Sequence, residues 1–141
     1  MSGTTHRGER TAARGHQRTR ADHAAETAED YVEAIDALIA ERGQCRVVDL
    51  ATRLGVSHVT VIRVVQRLVE QGLATTEPYR PIELTAKGRR LARACRERHE
   101  TVVAFLQKLG VSKRVAAMDA EGIEHHLSDE TLAHMRDYLG D

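Results

Sequence analysis

The string EGIEHH at residues 121–126 packs two carboxylates and two imidazoles into six positions, which are the donor types of a divalent-metal site. On a helix, Glu121, Glu124 and His125 stand at i, i+3 and i+4 and project from one side, while His126 points about a quarter turn away. Alone, the string equally fits an exposed helix end, so its partners must decide. In EDYVEAI, Asp30 and Glu33 stand i, i+3 beside an apolar side marked by Tyr31 and Ile35. Further on, His99 falls inside an apolar stripe formed by Leu91, Cys95, Val102 and Leu106. An imidazole there needs a polar partner, and a core histidine satisfied by one hydrogen bond would suffice for His99 taken singly. Taken together, three helical segments offer Asp30 and Glu33, then His99, then Glu121, Glu124 and His125. Four converging carboxylates without a cation would repel one another or take up protons, and a divalent metal removes that cost. Oxygen-rich donors with one or two imidazoles favour manganese or iron over thiolate-dominated zinc. Six such groups with bridging carboxylates could hold two ions roughly 4 Å apart.

The elements that must position these groups are mostly helical. The chain has 141 residues, 41% of them apolar but only 3% aromatic, with no Trp and two prolines. Its core is therefore built from Leu, Val, Ile and Ala, and its size excludes a large enzyme scaffold. Lys plus Arg equals Asp plus Glu at 21 each, so any nucleic-acid surface must come from local charge distribution. Cys45 and Cys95 lack both CxxC spacing and the density of a disulfide scaffold, which predicts reduced thiols in a cytoplasmic protein. No apolar run reaches membrane-spanning length, and the polar N-terminus lacks the apolar stretch of an export signal.

Residues 1–26 carry Arg7, Arg10, Arg14, Arg18 and Arg20 but almost no large apolar side chain, which predicts a disordered, Arg-rich arm, either merely solvated or adding phosphate affinity. From Thr27, Tyr31, Ile35, Leu38 and Ile39 recur at helical spacing up to a stop at Gly43. Residues 47–68 then fit a helix-turn-helix: a short helix at about 48–54, a turn at Gly55, and a second helix from about His58 to Gln71. Leu50, Leu54, Val56, Val61, Val64 and Leu68 form its shared core, with Ala51 small where the helices cross. The opposite face of the second helix presents Val59, Arg63 and Gln66, flanked by Thr60 and Arg67, with Ser57 and His58 at its start. That face suits a major groove: Val59 toward a thymine methyl, Arg63 toward guanine or phosphate, and Ser57 and His58 toward phosphates or base edges. LATTEPYRPIELT reads as two short strands about a turn at residues 78–81, a wing with Arg80 at its tip. Helices follow at about 86–109, after Ser112, and after Ser128, with Thr85, Ser112 and Ser128 as N-caps. The expected architecture is mostly α: a winged helix-turn-helix DNA-binding domain over 27–88 and an all-helical metal-binding and dimerisation domain over 89–141.

With EDYVE, VVDLATRLGVSHVTV, LTAKG, RERHE, FLQKLGVS and DAEGIEHHLSDET in place, the chain resembles, over about residues 27–138, the manganese-responsive repressors within the diphtheria-toxin-repressor-like family of metal-dependent regulators. The resemblance implies a homodimer that reads palindromic double-stranded DNA to control manganese homeostasis genes. It also implies Asp30, Glu33, His99, Glu121, Glu124 and His125 as ligands of Mn(2+), with two ions per subunit, and His126 as a bystander. Iron-responsive relatives place Met and Cys where this chain has Asp30 and Glu121, and harder carboxylates argue for manganese, with Fe(2+) the alternative. The SH3-like domain of the iron branch is not expected here. Two further alternatives stand beside this one: a small two-metal hydrolase, since paired ions also activate water, and a metal-blind winged-helix repressor whose acidic cluster is a solvated face.

Overall fold

The computed structural model describes the backbone of residues 3–140 and the side chains of residues 23–140. Helix α1 (Gly3–Arg42) leads into α2 (Val47–Leu54) and α3 (His58–Glu70), then strands β1 (Ala74–Thr75) and β2 (Glu83–Leu84). Helices α4 (Ala86–Lys108), α5 (Lys113–Ile123) and α6 (Asp129–Leu139) follow, with a 3₁₀ turn (Glu124–His126) after α5. The helix-turn-helix forms because a left-handed turn is available where it is needed: Gly55 takes φ +66° and its N–H donates to Ala51 O, ending α2. Ser57 then starts α3, its Oγ accepting from Thr60 N at 3.1 Å. Leu50, Val61, Val65 and Leu68 are buried, with Leu54, Val56 and Val64 packed against them at partial exposure.

The wing is shorter than its loop suggests. Its strands pair antiparallel over two residues each, Ala74 opposite Leu84 and Thr75 opposite Glu83. It is held mainly from outside: Ile82 N donates to Cys45 O at 2.8 Å, and Thr85 N to Leu73 O at 3.0 Å. The Thr85 hydroxyl donates to Gly72 O at 2.6 Å and accepts from Gly88 N at 3.1 Å, joining the wing to the first turn of α4. Ser112 and Ser128 cap α5 and α6 through the expected hydroxyl acceptors. Cys45 and Cys95 are free and buried.

Two hydrophobic cores result. The larger unites Tyr31, Val32, Ile35 and Leu38 of α1 with the helix-turn-helix, Ile82 and Leu84 of the wing, and Ala92 of α4. The smaller gathers Val102, Ala120 and Leu132 from α4, α5 and α6, with Leu106, Leu127 and Met135 against them. Both cores draw on α4, whose apolar stripe runs from one to the other.

One expectation is corrected. In place of a disordered arm over 1–26, helical backbone extends back to Gly3. No proline interrupts the segment, and its Ala, Arg and Glu residues are good helix formers. Once burial of Tyr31 to Leu38 has nucleated α1, each further residue adds one hydrogen bond without a new nucleus. Low hydrophobicity removed the expectation of a core contact, not of a helix. The side chains of Arg7 to Arg20 lie outside the described residues.

Gly88 marks the closest approach of α4 to the wing: a Cβ there would lie 2.0 Å from Leu73 O and 3.2 Å from Leu84 Cδ2. Gly88→Ala is expected to destabilise the protein by about 1 to 3 kcal/mol through overpacking. Gly122→Ala, whose Cβ would meet nothing within 4 Å, is expected to stabilise by up to about 1 kcal/mol through helix propensity. Urea unfolding of both variants without metal checks the contrast.

Candidate metal centre and nucleic-acid interface

Three segments converge beside α1. Asp30 and Glu33 come from α1 and His99 from the middle of α4, while Glu121 comes from the last turn of α5 and Glu124 and His125 from the 3₁₀ turn. All six line one cleft of about 630 Å³, together with Glu26, Ala34, Ala37, Arg53, Leu54 and Gly122. The tightening of α5 into a 3₁₀ turn at Glu124 keeps Glu121, Glu124 and His125 on the same wall. His126 is half exposed, with Nε2 3.5 Å from Glu26 Oε2 at the rim.

The hydrogen bonding is uneven. His99 Nδ1 pairs with Glu124 Oε2 at 2.7 Å, so the histidine in the apolar stripe finds its partner in a carboxylate that is only 3% exposed. His125 Nε2 lies 3.1 Å from Asp30 Oδ1 and 3.5 Å from Glu124 Oε1. Its other nitrogen, Nδ1, is 2.6 Å from Glu29 Oε2. The same Glu29 oxygen accepts from Arg98 Nη2 at 2.6 Å. Among the described residues, the one set of three whose donor atoms all lie within 4.8 Å of one another is Glu26, Asp30 and His125. Glu33 and Glu121 line the cleft without closing on that set, and Glu33 Oε1 is buried without any hydrogen-bond partner.

These surroundings disfavour the charged carboxylates. Burial pushes Asp30 upward against the pull of His125, with Glu26, Glu121 and Glu29 adding to the rise. Burial likewise raises Glu33, opposed by His125 and His99 and by a hydrogen bond from Cys95. Glu124 rises through burial despite His99 beside it. Burial opposes charging of His125, but its bond to Glu29 and the charges of Asp30, Glu29 and Glu124 outweigh that, and its pKa rises. Cys95 is pushed up to about 12 by burial and nearby carboxylates, which keeps it a thiol. A divalent cation fits this donor set: it would give the orphaned Glu33 oxygen a partner and offset the burial, and the smaller repulsion, that raise three carboxylates.

Sequence reasoning missed Glu26, Glu29 and Arg98. Glu26 stands one helical turn before Asp30, a spacing that could have found it. Glu29 and Arg98 each adjoin an expected ligand in sequence, and their pairing across 69 positions carries no local signal.

The winged unit presents the candidate nucleic-acid surface. Val59 is 64% exposed at the start of α3, and His58, Thr60 and Arg63 are exposed beside it. The hydroxyl of Ser57 is engaged in capping α3 and lies 2.9 Å from Thr60 Oγ1. Arg67 is exposed on the flank of α3, where it lines a cleft with His23, Thr27 and Ala28 of α1. Arg80 is solvated at the wing tip, 3.4 Å from Glu77. Next to it Tyr79, absent from the expected set, is 98% exposed in a left-handed conformation at φ +65°. Ile62, also unexpected there, adds a second exposed apolar residue to α3.

Comparison with known proteins bears on both surfaces. Residues 23–82 match the family model described as iron dependent repressor, N-terminal DNA binding domain. Residues 85–141 match its metal binding and dimerisation domain. The transcriptional regulator MntR of Escherichia coli O157:H7 is 50% identical over 118 residues, covering 84% of this chain and 76% of the relative. The HTH-type transcriptional regulator MntR of Bacillus subtilis (strain 168) is 40% identical over 113 residues, covering 80% and 77%. Among solved structures, a manganese-dependent transcriptional repressor in complex with manganese superposes with a TM-score of 0.70 at 33% identity, covering 80% of this chain and 52% of the other. An IdeR structure from T. acidophilum gives the same TM-score at 24% identity and attests the fold alone. The chain spans about half the length of those two solved chains.

The upward shifts have a definite sign for stability. Asp30, Glu33, Glu124 and His125 hold protons in the folded chain to higher pH than their ordinary values of 3.8, 4.5, 4.5 and 6.5. Their contribution is therefore full below those values and is lost as pH rises through the folded ones. Metal-free protein is expected to show a falling urea midpoint from about pH 5 to about pH 8, and Glu124→Gln to fall less. A midpoint that rises over that range in the wild type, or an unchanged slope in Glu124→Gln, contradicts the reading.

Proposed function

The chain belongs to the iron-dependent repressor family of diphtheria-toxin-repressor-like regulators, and from that premise we propose that it is a manganese-dependent, DNA-binding transcriptional regulator. The observation that carries this is the convergence of carboxylates and imidazoles from α1, α4 and the end of α5 on one cleft, with α1 also packing under the DNA-reading unit. The relatives that match most of the chain are transcription regulators, so an enzymatic reading, including the two-metal hydrolase, is not favoured.

Asp30, Glu33, His99, Glu121, Glu124 and His125 are the proposed ligands. Glu26 is close enough to complete the outer end of the set. When bound, a divalent cation supplies the positive charge that four carboxylates lack and a bond network between separate helices. The protein's own part is to keep the donors hard: thiol Cys95 stays protonated nearby, and among the described residues no Met sulfur lines the cleft. That favours manganese over softer-ligand iron sites. The number of donors suits two ions per subunit.

The proposed response follows from where the donors sit. Asp30 and Glu33 share α1 with Tyr31, Ile35 and Leu38, which pack under the helix-turn-helix. Drawing α1, α4 and the 3₁₀ turn together therefore fixes the winged unit against the dimerisation helices, and so fixes the distance between two recognition helices in a homodimer. A symmetric dimer would read a palindromic operator with half-sites about one helical turn apart. Val59 and Arg63 would face base edges. Arg80 and Tyr79 would meet the backbone or minor groove at the wing. A coupling of about 1 to 3 kcal/mol between metal and DNA, roughly 5- to 150-fold in affinity, suffices for such a switch.

Fluorescence anisotropy on a duplex selected from a random pool in the presence of manganese tests this. DNA affinity is expected to fall at least about fivefold in chelator. Glu124→Ala and His99→Ala are expected to abolish the difference. Arg63→Ala should weaken DNA binding with manganese binding intact, at a cost of about 1 to 3 kcal/mol if it reads a base. Undiminished binding of the wild type in chelator would leave a metal-blind repressor. Equal or stronger activation by iron in a side-by-side titration would move the chain to the iron-responsive branch.

A further inference from the structure

We infer that Glu29 and Arg98 form a partly buried clamp that presents His125 to the metal site through Nε2, making them positioning residues of the sensor rather than ligands. This rests on the reading of the cleft as the metal site. Glu29 Oε2 receives two hydrogen bonds of 2.6 Å, one from His125 Nδ1 and one from Arg98 Nη2. The three side chains are 16%, 3% and 18% exposed respectively for Glu29, His125 and Arg98, so water competes little for these bonds.

The chemistry of the pair fixes the ring. A carboxylate bound to a guanidinium accepts hydrogen bonds and has none to donate, so Nδ1 must carry the hydrogen it shares with Glu29. In the neutral ring the lone pair then sits on Nε2, the nitrogen 3.1 Å from Asp30 and 3.5 Å from Glu124. The opposite tautomer would aim an N–H at the ligand cluster and leave no electron pair for a cation. Arg98 has a second effect. By engaging Glu29, it holds the same oxygen that receives His125 Nδ1. Arg98 is itself steadied by Cys95 Sγ at 3.5 Å and directly precedes His99. The clamp thus ties together α1, α4 and the 3₁₀ turn, the same three segments that supply the nitrogen donors and most of the oxygens.

The test uses the whole chain. In metal-free wild type at alkaline pH, nitrogen-15 NMR of the imidazoles is expected to show His125 with hydrogen on Nδ1, and Glu29→Ala is expected to shift it toward hydrogen on Nε2. Electron paramagnetic resonance titration with Mn(2+) is expected to show about 10- to 100-fold weaker binding in Glu29→Ala with the same number of ions bound. Glu29→Gln, similar in shape, should fall between the two and decides the matter if the alanine variant does not fold. Hydrogen on Nε2 in the wild type, or wild-type affinity and tautomer in both variants, would overturn the clamp. A lower ion count in Glu29→Ala would make Glu29 a ligand and overturn it as well. Wild type that binds no Mn(2+) would instead strike at the metal reading, while the NMR result would still report on the ring.

Discussion

Like charges gathered at the edge of a hydrophobic core are the constraint on which the rest of this molecule turns. Asp30, Glu33, Glu121 and Glu124 line a single cleft whose walls include Ala34, Ala37 and Leu54, an environment that penalises each negative charge and each additional one beside it. The chain meets that penalty partly with its own imidazoles: His99 on Glu124, and His125 between Asp30 and Glu29. Two half-matched histidines leave the balance negative. The cleft thus concentrates negative charge that its own imidazoles offset only in part.

Helix α1 converts that local imbalance into something the DNA-reading unit can feel. One of its sides carries Tyr31, Val32, Ile35 and Leu38 into the larger core beneath α2 and α3, and another carries Asp30 and Glu33 to the cleft. A displacement of α1 at the cleft cannot be absorbed locally, because a close-packed interior transmits strain. The neutral overall charge of the chain suits this arrangement. Acidic groups are spent on the cleft, and exposed basic groups such as Arg63 and Arg80 remain for a polyanion.

Much of this was legible in the sequence, for reasons that can be named residue by residue. Gly55, Ala51 and Ser57 each have a steric or capping duty that few other residues could fill, so the helix-turn-helix announced itself. Glu121 and Glu124 stand i, i+3 and stay aligned at both α and 3₁₀ pitch, and His125 still reaches the same cleft. What could not be read was anything that depends on a partner far along the chain. Glu29 and Arg98 carry no local signal, because their mutual contact exists only after α1 and α4 have packed. Residues 3–26 looked unstructured because burial was used as the measure of order, whereas a helix can extend past its packed part on backbone hydrogen bonds alone. Tyr79 carries no sequence signal of its own: its exposure and its positive φ at the wing tip are seen only in the folded chain.

The fit of Gly88 against Leu73, with the Thr85 hydroxyl spanning Gly72 and the start of α4, means that the border between the two family segments is a weld. The wing and the first turn of α4 are packed as one body, and α4 carries that body into the second core, where Val102 meets Ala120 and Leu132. Seated at both ends, α4 acts as an axle with a bearing in each core: a pull on His99 at its middle loads both bearings at once, because a close-packed interior transmits strain.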